Sequence, residues 1–169
     1  PETSILFNMP GVWTLLDNIR SFENLFLDIY DQPTELKRLL TRYSDVMAAI
    51  TRRACQIGID VFYLQDDISS TNGLLMSPQL LQEFVWEYNS RTVEVARQFN
   101  VPVFYHSDGK TMDIIPVLLD LGIKAINPFQ PHLHNLSEFQ TKYLHKIAVY
   151  GGMDNTYILP SGTLNQINQ

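Results

Sequence analysis

The stretch Val101-Pro102-Val103-Phe104-Tyr105-His106-Ser107-Asp108-Gly109 carries the densest chemistry in the chain. A short apolar run rich in β-branched and aromatic residues reads as a buried strand over Val101–Tyr105. It gives way at once to His106, Ser107 and Asp108, and Gly109 turns the chain. In α/β folds ligands collect beyond the carboxyl ends of strands. A His and an Asp at such an end can bind a metal, hold a polar substrate or move protons. The competing reading is a polar turn that caps the following helix.

The same sequence of events recurs. Asn8 follows a run from Ile5. Asp66 and Asp67 follow a run from Ile59 to Leu64. Asn127, Gln130 and His132 follow Lys124–Ile126. Gly151, Gly152 and Asp154 follow Ile147–Tyr150. Helix caps need polar residues anyway, so one such end means little; five in succession point to a shared pocket. Adjacent residues at a strand end point in different directions, so only one of Asp66 and Asp67 is expected to face that pocket. An acidic turn-forming pair is the alternative. His132-x-His134 is a weak metal signal in a Pro-rich loop, and His145 reads as a surface residue. Gly151-Gly152 either lets backbone approach a ligand or bends the strand end.

The elements between these ends are helical. Thr34–Ile57 is the clearest. Leu36, Leu39, Leu40, Tyr43, Val46, Met47, Ile50, Ala54 and Ile57 form one expected apolar stripe, with Thr34 as N-cap and Gly58 as stop. Shorter helices are read after Trp13 and over Phe22–Tyr30. Further helices run from Ser77-Pro78 to Asn100, over Thr111–Leu121 with Gly122 closing it, and over Ser137–Leu144. Ser161 opens a final stub. Alternating strands and helices mean a parallel sheet with helical crossovers. A doubly wound sheet and a (β/α)8 barrel both remain open. Five strands make a barrel incomplete, since closure takes eight and about 250 residues. No glycine-rich dinucleotide fingerprint follows any strand, which weakens the doubly wound reading.

Composition narrows the partners. The 169 residues are 45% hydrophobic and 18% charged, with a net charge of −6. That excludes a disordered chain and argues against nucleic acid as partner. The lone cysteine, Cys55, rules out a disulfide framework and a thiolate-only zinc site, and packs as core. No signal peptide or long apolar stretch is visible, so no membrane partner and a cytoplasmic location are expected. One domain over 1–169, incomplete at both ends, is the expected organisation.

Taken together, several segments resemble the uroporphyrinogen decarboxylase superfamily. These are Gly11-Val12-Trp13-Thr14-Leu15, Asp66-Asp67, Gly73-Leu74-Leu75-Met76-Ser77-Pro78, the His106-Ser107-Asp108-Gly109 strand end, Asn127-Pro128-Phe129-Gln130-Pro131 and Tyr150-Gly151-Gly152-Met153-Asp154. The resemblance covers essentially the whole chain. It implies a (β/α)8 TIM barrel, present here as a partial barrel of about five βα units. One branch of that superfamily decarboxylates a tetrapyrrole in porphyrin biosynthesis without metal or cofactor, through an Asp, arginines and a Tyr. Asn18 stands where that Tyr aligns, and the Asp and arginines precede this chain. The other branch, corrinoid and coenzyme M methyltransferases, carries a zinc-binding His-x-Cys, which reads His106-Ser107-Asp108 here. Asp is a harder ligand, usable by zinc and by other divalent metals.

The resemblance and the residues lead to metal-assisted methyl transfer or demethylation with a corrinoid protein as the first expectation. His106 and Asp108 would hold a divalent metal, zinc among the candidates. Asp66, Asp67 and His106 would be catalytic, the aspartates orienting substrate or protonating a leaving group. Asn8, Asn18, Asn127, Gln130, Gly151, Gly152 and Asp154 would contact a small molecule. Cofactor-free decarboxylation of a tetrapyrrole is the alternative. A non-catalytic ligand-binding or assembly module, self-associating as a homo-oligomer, is the third.

Overall fold

The protein was analysed as a computed structural model that describes residues 3–168. Five strands form one sheet: β1 (Leu6–Pro10), β2 (Val61–Gln65), β5 (Val103–His106), β6 (Ala125–Asn127) and β7 (Ala148–Val149). All four pairings are parallel, and spatial order follows chain order without reversal. A doubly wound sheet reverses its order at a switch point. This sheet has none, so it is an arc of a (β/α) barrel, wound in one direction through successive crossover helices. The partial barrel of about five βα units is the observed fold.

The helices are α1 (Val12–Arg20), α2 (Phe22–Asp31), α3 (Pro33–Ile57), α4 (Pro78–Leu81), α5 (Glu87–Gln98), α6 (Ile115–Leu121), α7 (Leu136–Tyr143), α8 (Ile158–Ser161) and α9 (Leu164–Ile167). A π-helical turn, Gln82–Trp86, joins α4 to α5, and a 3₁₀ turn, Met112–Ile114, leads into α6. A two-residue hairpin, β3 (Ser69–Ser70) with β4 (Gly73–Leu74), sits above the end of β2. Neither the hairpin nor the π turn was legible in the sequence, because both are too short to show a period.

Capping chemistry explains most boundaries. The Ser77 hydroxyl accepts from the Leu80 N–H at 3.2 Å and starts α4, with Pro78 at the first position. Gly58 and Gly122 take left-handed φ values of 91° and 83° after α3 and α6, and Asn100 does so at 57° after α5. Three expected boundaries need correction. Helix α3 starts at Pro33, with Gln32 rather than Thr34 as its cap. Helix α7 is capped by Asn135, whose side chain accepts from the Glu138 N–H. Ser161 ends α8, and the last stub is opened by a Thr163–Gln166 capping box.

The stripe on α3 also divides. Leu36, Leu40, Met47 and Ala54 are buried, whereas Leu39, Val46, Ile50 and Ile57 are exposed. At 3.6 residues per turn these sets lie roughly 70° apart. Only the first set joins the core.

Strand alternation assigns two faces to the sheet. Met9, Phe62, Leu64, Val103, Tyr105 and Ile126 belong to the core shared with the helices. The residues between them, Asn8, Tyr63, Gln65, Phe104, His106 and Asn127, therefore share the opposite, barrel-inner face. Register places Pro10, Gln65, His106 and Asn127 level with one another at the carboxyl ends of four neighbouring strands.

Candidate functional site

The site is built from the corner where β2 ends. Gly11 N–H donates to the Gln65 carbonyl, which brings the start of α1 against Asp66 and Asp67. A helix leaves its first N–H groups unpaired, and Gly11 has no side chain to cap them. Asp66 supplies the cap from another strand. Its Oδ1 accepts from the Thr14 N–H at 2.7 Å and its Oδ2 from the Asn89 amide at 2.6 Å. Asn89 in turn accepts from the Val12 N–H at 3.1 Å. A β-carbon on Gly11 would lie 2.3 Å from the Asp66 carboxyl carbon, so only glycine lets the start of α1 sit this close to the Asp66 side chain. Asp66 is fully buried, and loss of water raises its pKa to about 6 against the lowering effect of the Thr14 and Asn89 donors.

This corrects the expectation for Asp66. Its carboxylate is turned into α1 and away from the barrel rim, so it is not available to substrate. Asp67, one residue on, is exposed at that rim, as alternation requires. Its N–H donates to Thr14 Oγ1 at 3.0 Å, and its Oδ1 accepts from the Asp108 N–H at 2.9 Å. The same Oδ1 stands 3.6 Å from His106 Nε2.

His106 is oriented from its other nitrogen. The Asn127 amide donates to the Tyr150 carbonyl, which turns Asn127 Oδ1 towards the inner face. That oxygen accepts from the Tyr63 hydroxyl and lies 2.9 Å from His106 Nδ1. The Tyr63 hydroxyl also stands 3.2 Å from Nδ1; a proton on Nδ1 satisfies the amide oxygen, which only accepts, and frees the Nε2 lone pair for an ion. Tyr63 has its pKa pushed up to about 12, chiefly by burial and further by Tyr150, Asp108 and Asp67, so it remains a hydroxyl donor at neutral pH.

One donor atom each from Asp67, His106 and Asp108 lie within 4.8 Å of one another. Tetrahedral ligands about 2.1 Å from one ion are roughly 3.4 Å apart. Asp67 and Asp108 are exposed, so side-chain adjustment can bring the three donor atoms together around an ion. An imidazole nitrogen with two carboxylates is a donor set for zinc or a harder divalent ion. The residues therefore fit a metal, and a carboxylate–backbone and amide–imidazole second layer already holds them.

Other expected site residues are placed differently. Asn8 does not follow its strand but lies within β1, exposed on the inner face two residues below the end. The strand runs on through Met9 to Pro10, whose pairing partner is Gln65. Asn18 is exposed on α1, its amide donating to the Thr14 carbonyl one turn back. Gln130 is buried, and its Oε1 accepts from the Gly109 N–H at 2.8 Å, so it holds the Asp108 loop. Buried Ser107 does the same through the Ile68 N–H. Gly151 fits closely over Phe129, and Gly152 N–H donates to the Phe129 carbonyl. Asp154 accepts from the Thr156 and Tyr157 N–H groups and lies 3.7 Å from His132; the Tyr157 N–H is the main cause of its lowered pKa. His134 turns instead to Thr111, and burial lowers its pKa. The two His of His132-x-His134 thus have separate partners. Tyr63, Gln65, Thr14 and Asn89 were missed as contributors. The signal for the first two was parity: they alternate with the core residues Phe62 and Leu64.

Comparison with known proteins follows the geometry. The family model for uroporphyrinogen decarboxylase (URO-D) matches residues 1–169. No curated protein sequence matches the chain. Among solved structures, a methyltransferase from Methanosarcina mazei superposes with a TM-score of 0.75 at 19% identity, over 98% of this chain and 48% of that one. The chain thus spans about half the length of that methyltransferase, and the likeness is one of fold. Among the described residues, no helix is long and apolar enough to cross a membrane.

Proposed function

Because this chain belongs to the uroporphyrinogen decarboxylase family, we propose that it contributes the metal-binding half of an enzyme for metal-assisted methyl transfer. The reaction is demethylation of a small methylated substrate, with a corrinoid protein as methyl acceptor. The observation that carries this reading is the convergence of Asp67, His106 and Asp108, with His106 Nε2 facing the Asp67 carboxylate.

In this reading His106 Nε2 and the two carboxylates hold a divalent ion, zinc among the candidates. The ion, when bound, supplies Lewis acidity to the heteroatom that carries or receives the methyl group. Asn127 and Tyr63 keep the imidazole in the ligating tautomer. Gln65, level with His106, offers an amide to a polar group of the substrate, and Asn8 lies below it on the same face. Gln130 and Ser107 fix the loop that carries Asp108. The acidic rim is a poor host for a polyanionic tetrapyrrole, which sets methyl transfer ahead of decarboxylation.

The test is elemental analysis of the full-length protein after gel filtration, with His106→Ala and Asp108→Ala beside it. Near-stoichiometric divalent metal in the wild type, lost in both variants, supports the reading. Assays of methylated donors with a corrinoid acceptor then follow. Absence of metal from all three samples refutes it and leaves metal-free decarboxylation as the reading to assay.

A further inference from the structure

The segment Gly11-Val12-Trp13-Thr14-Leu15 plays no part in the reaction proposed above, yet its fourth residue touches both aspartates of the β2 corner. Thr14 N–H donates to Asp66 Oδ1 at 2.7 Å. The Thr14 hydroxyl oxygen accepts from the Asp67 N–H at 3.0 Å. Thr14 is itself fixed, because α1 is pinned at its first turn. Asn89 Oδ1 takes the Val12 N–H, Asn89 Nδ2 takes Asp66, and Gly11 N–H takes the Gln65 carbonyl.

We propose that Thr14 is a positioning residue for the metal centre: its hydroxyl oxygen, fixed at the pinned start of α1 and accepting from the Asp67 N–H, sets the direction in which the Asp67 carboxylate leaves the strand end. Asp67 is exposed, so no packing of its own side chain fixes it. Its orientation is set by two hydrogen bonds, one from its own N–H to Thr14 and one to its carboxylate from the Asp108 N–H. The second ties Asp67 to a loop that must itself adjust around an ion. The first ties it to the rigid start of a helix. A hydroxyl is required there because the position accepts from the Asp67 N–H; valine has the same shape and cannot accept.

The proposal rests on Asp67 being a ligand, and the experiment separates the two claims. Purified full-length protein, freed of metal, is titrated with Co²⁺ alone and followed by its visible absorption. The proteins are wild type, Thr14→Val, Thr14→Ala and Thr14→Ser. Backbone amide exchange at Asp67 is measured on the same proteins without metal. The expected result is a Kd for Co²⁺ raised about tenfold in Thr14→Val and Thr14→Ala, with Thr14→Ser within about threefold of wild type. Exchange at the Asp67 amide is expected to quicken in the first two variants and not in the third. Leu118→Ala truncates a fully buried core side chain on α6, outside the Asp66–Asp67 corner; it lowers stability and leaves Co²⁺ affinity unchanged, which separates positioning from general loosening. Wild-type Co²⁺ affinity and unchanged Asp67 exchange in both Thr14→Val and Thr14→Ala overturn the proposal. If wild type itself shows no Co²⁺ spectrum, the metal reading falls, and the amide exchange alone decides whether Thr14 holds Asp67.

Discussion

Asp66→Asn should change how the stability of this protein responds to pH. The carboxyl group has an ordinary pKa of 3.8 and about 6 when folded, because it is fully buried between α1 and α5. The folded state therefore holds its proton more tightly than the unfolded chain. Where the folded state binds more protons, stability falls as pH rises. The contribution of Asp66 is fully present below about pH 4 and is lost as pH rises through about 6. At 1.36 kcal/mol per pKa unit, the loss is about 3 kcal/mol at most. Asparagine cannot titrate, so that slope disappears. It also accepts only one of the Thr14 and Asn89 hydrogen bonds, which imposes a pH-independent cost of about 1–3 kcal/mol. Urea denaturation of both proteins from about pH 4 to pH 8 isolates the effect. Groups with lowered pKa, Asp28 beside Arg20 and Asp154 beneath its backbone donors, act in the opposite sense and cancel in the difference. The wild type should lose about 2.4 kcal/mol relative to Asp66→Asn between the two ends, because at about pH 4 the unfolded carboxyl is already partly ionised. Parallel curves across that range would show that Asp66 does not titrate there, and the account of its burial would be wrong.

Two further outcomes follow from the same contacts. Gly109 sits at φ 88°, and a β-carbon there would meet the Ser70 carbonyl oxygen at 2.5 Å. Gly109→Ala should cost about 2–4 kcal/mol in urea denaturation, from strain and overpacking together, and should reduce metal content because it displaces the Asp108 loop. Tyr105→Phe leaves the buried Asp66 carbonyl without its 3.0 Å donor. It should cost about 1–2 kcal/mol by the same assay, and a neutral result would mean that the carbonyl is satisfied elsewhere.

The order of elements was legible because each strand is a short apolar run and each helix closes on a residue with a physical reason to stop, such as Asn100 or Gly122. His106, Asp108 and Asn127 were legible as strand-end polar residues. The level at which each strand ends was not. That is set by pairing across the sheet, as between Pro10 and Gln65, and no local pattern in β1 contains it. Asn8 was therefore placed beyond a strand that runs through it. The roles of Asp66 and Asp67 depend on the same missing information. Alternation says that one of the pair faces inward, but choosing between them requires knowing that α1 arrives with an uncapped glycine start. The exposed half of the α3 stripe was misread for a related reason: periodicity reports which residues share a helix face, not whether a neighbour covers it.

The level row Pro10, Gln65, His106 and Asn127 has a consequence for how such a site can change. Each member arrives on its own strand-and-helix module, separated from the next by tens of residues. None of the four belongs to the helix-facing core of its strand. The row therefore works as a set of slots, read across the chain rather than along it, with His106 and Asn127 coupled through their hydrogen bond. A substitution at Gln65 alters the reagent presented at that place and leaves the scaffold intact. Exchange at Gln65 would retune the partner beside the imidazole without moving the imidazole. One backbone can in this way carry different chemistries at one rim, with a single substitution separating neighbouring solutions.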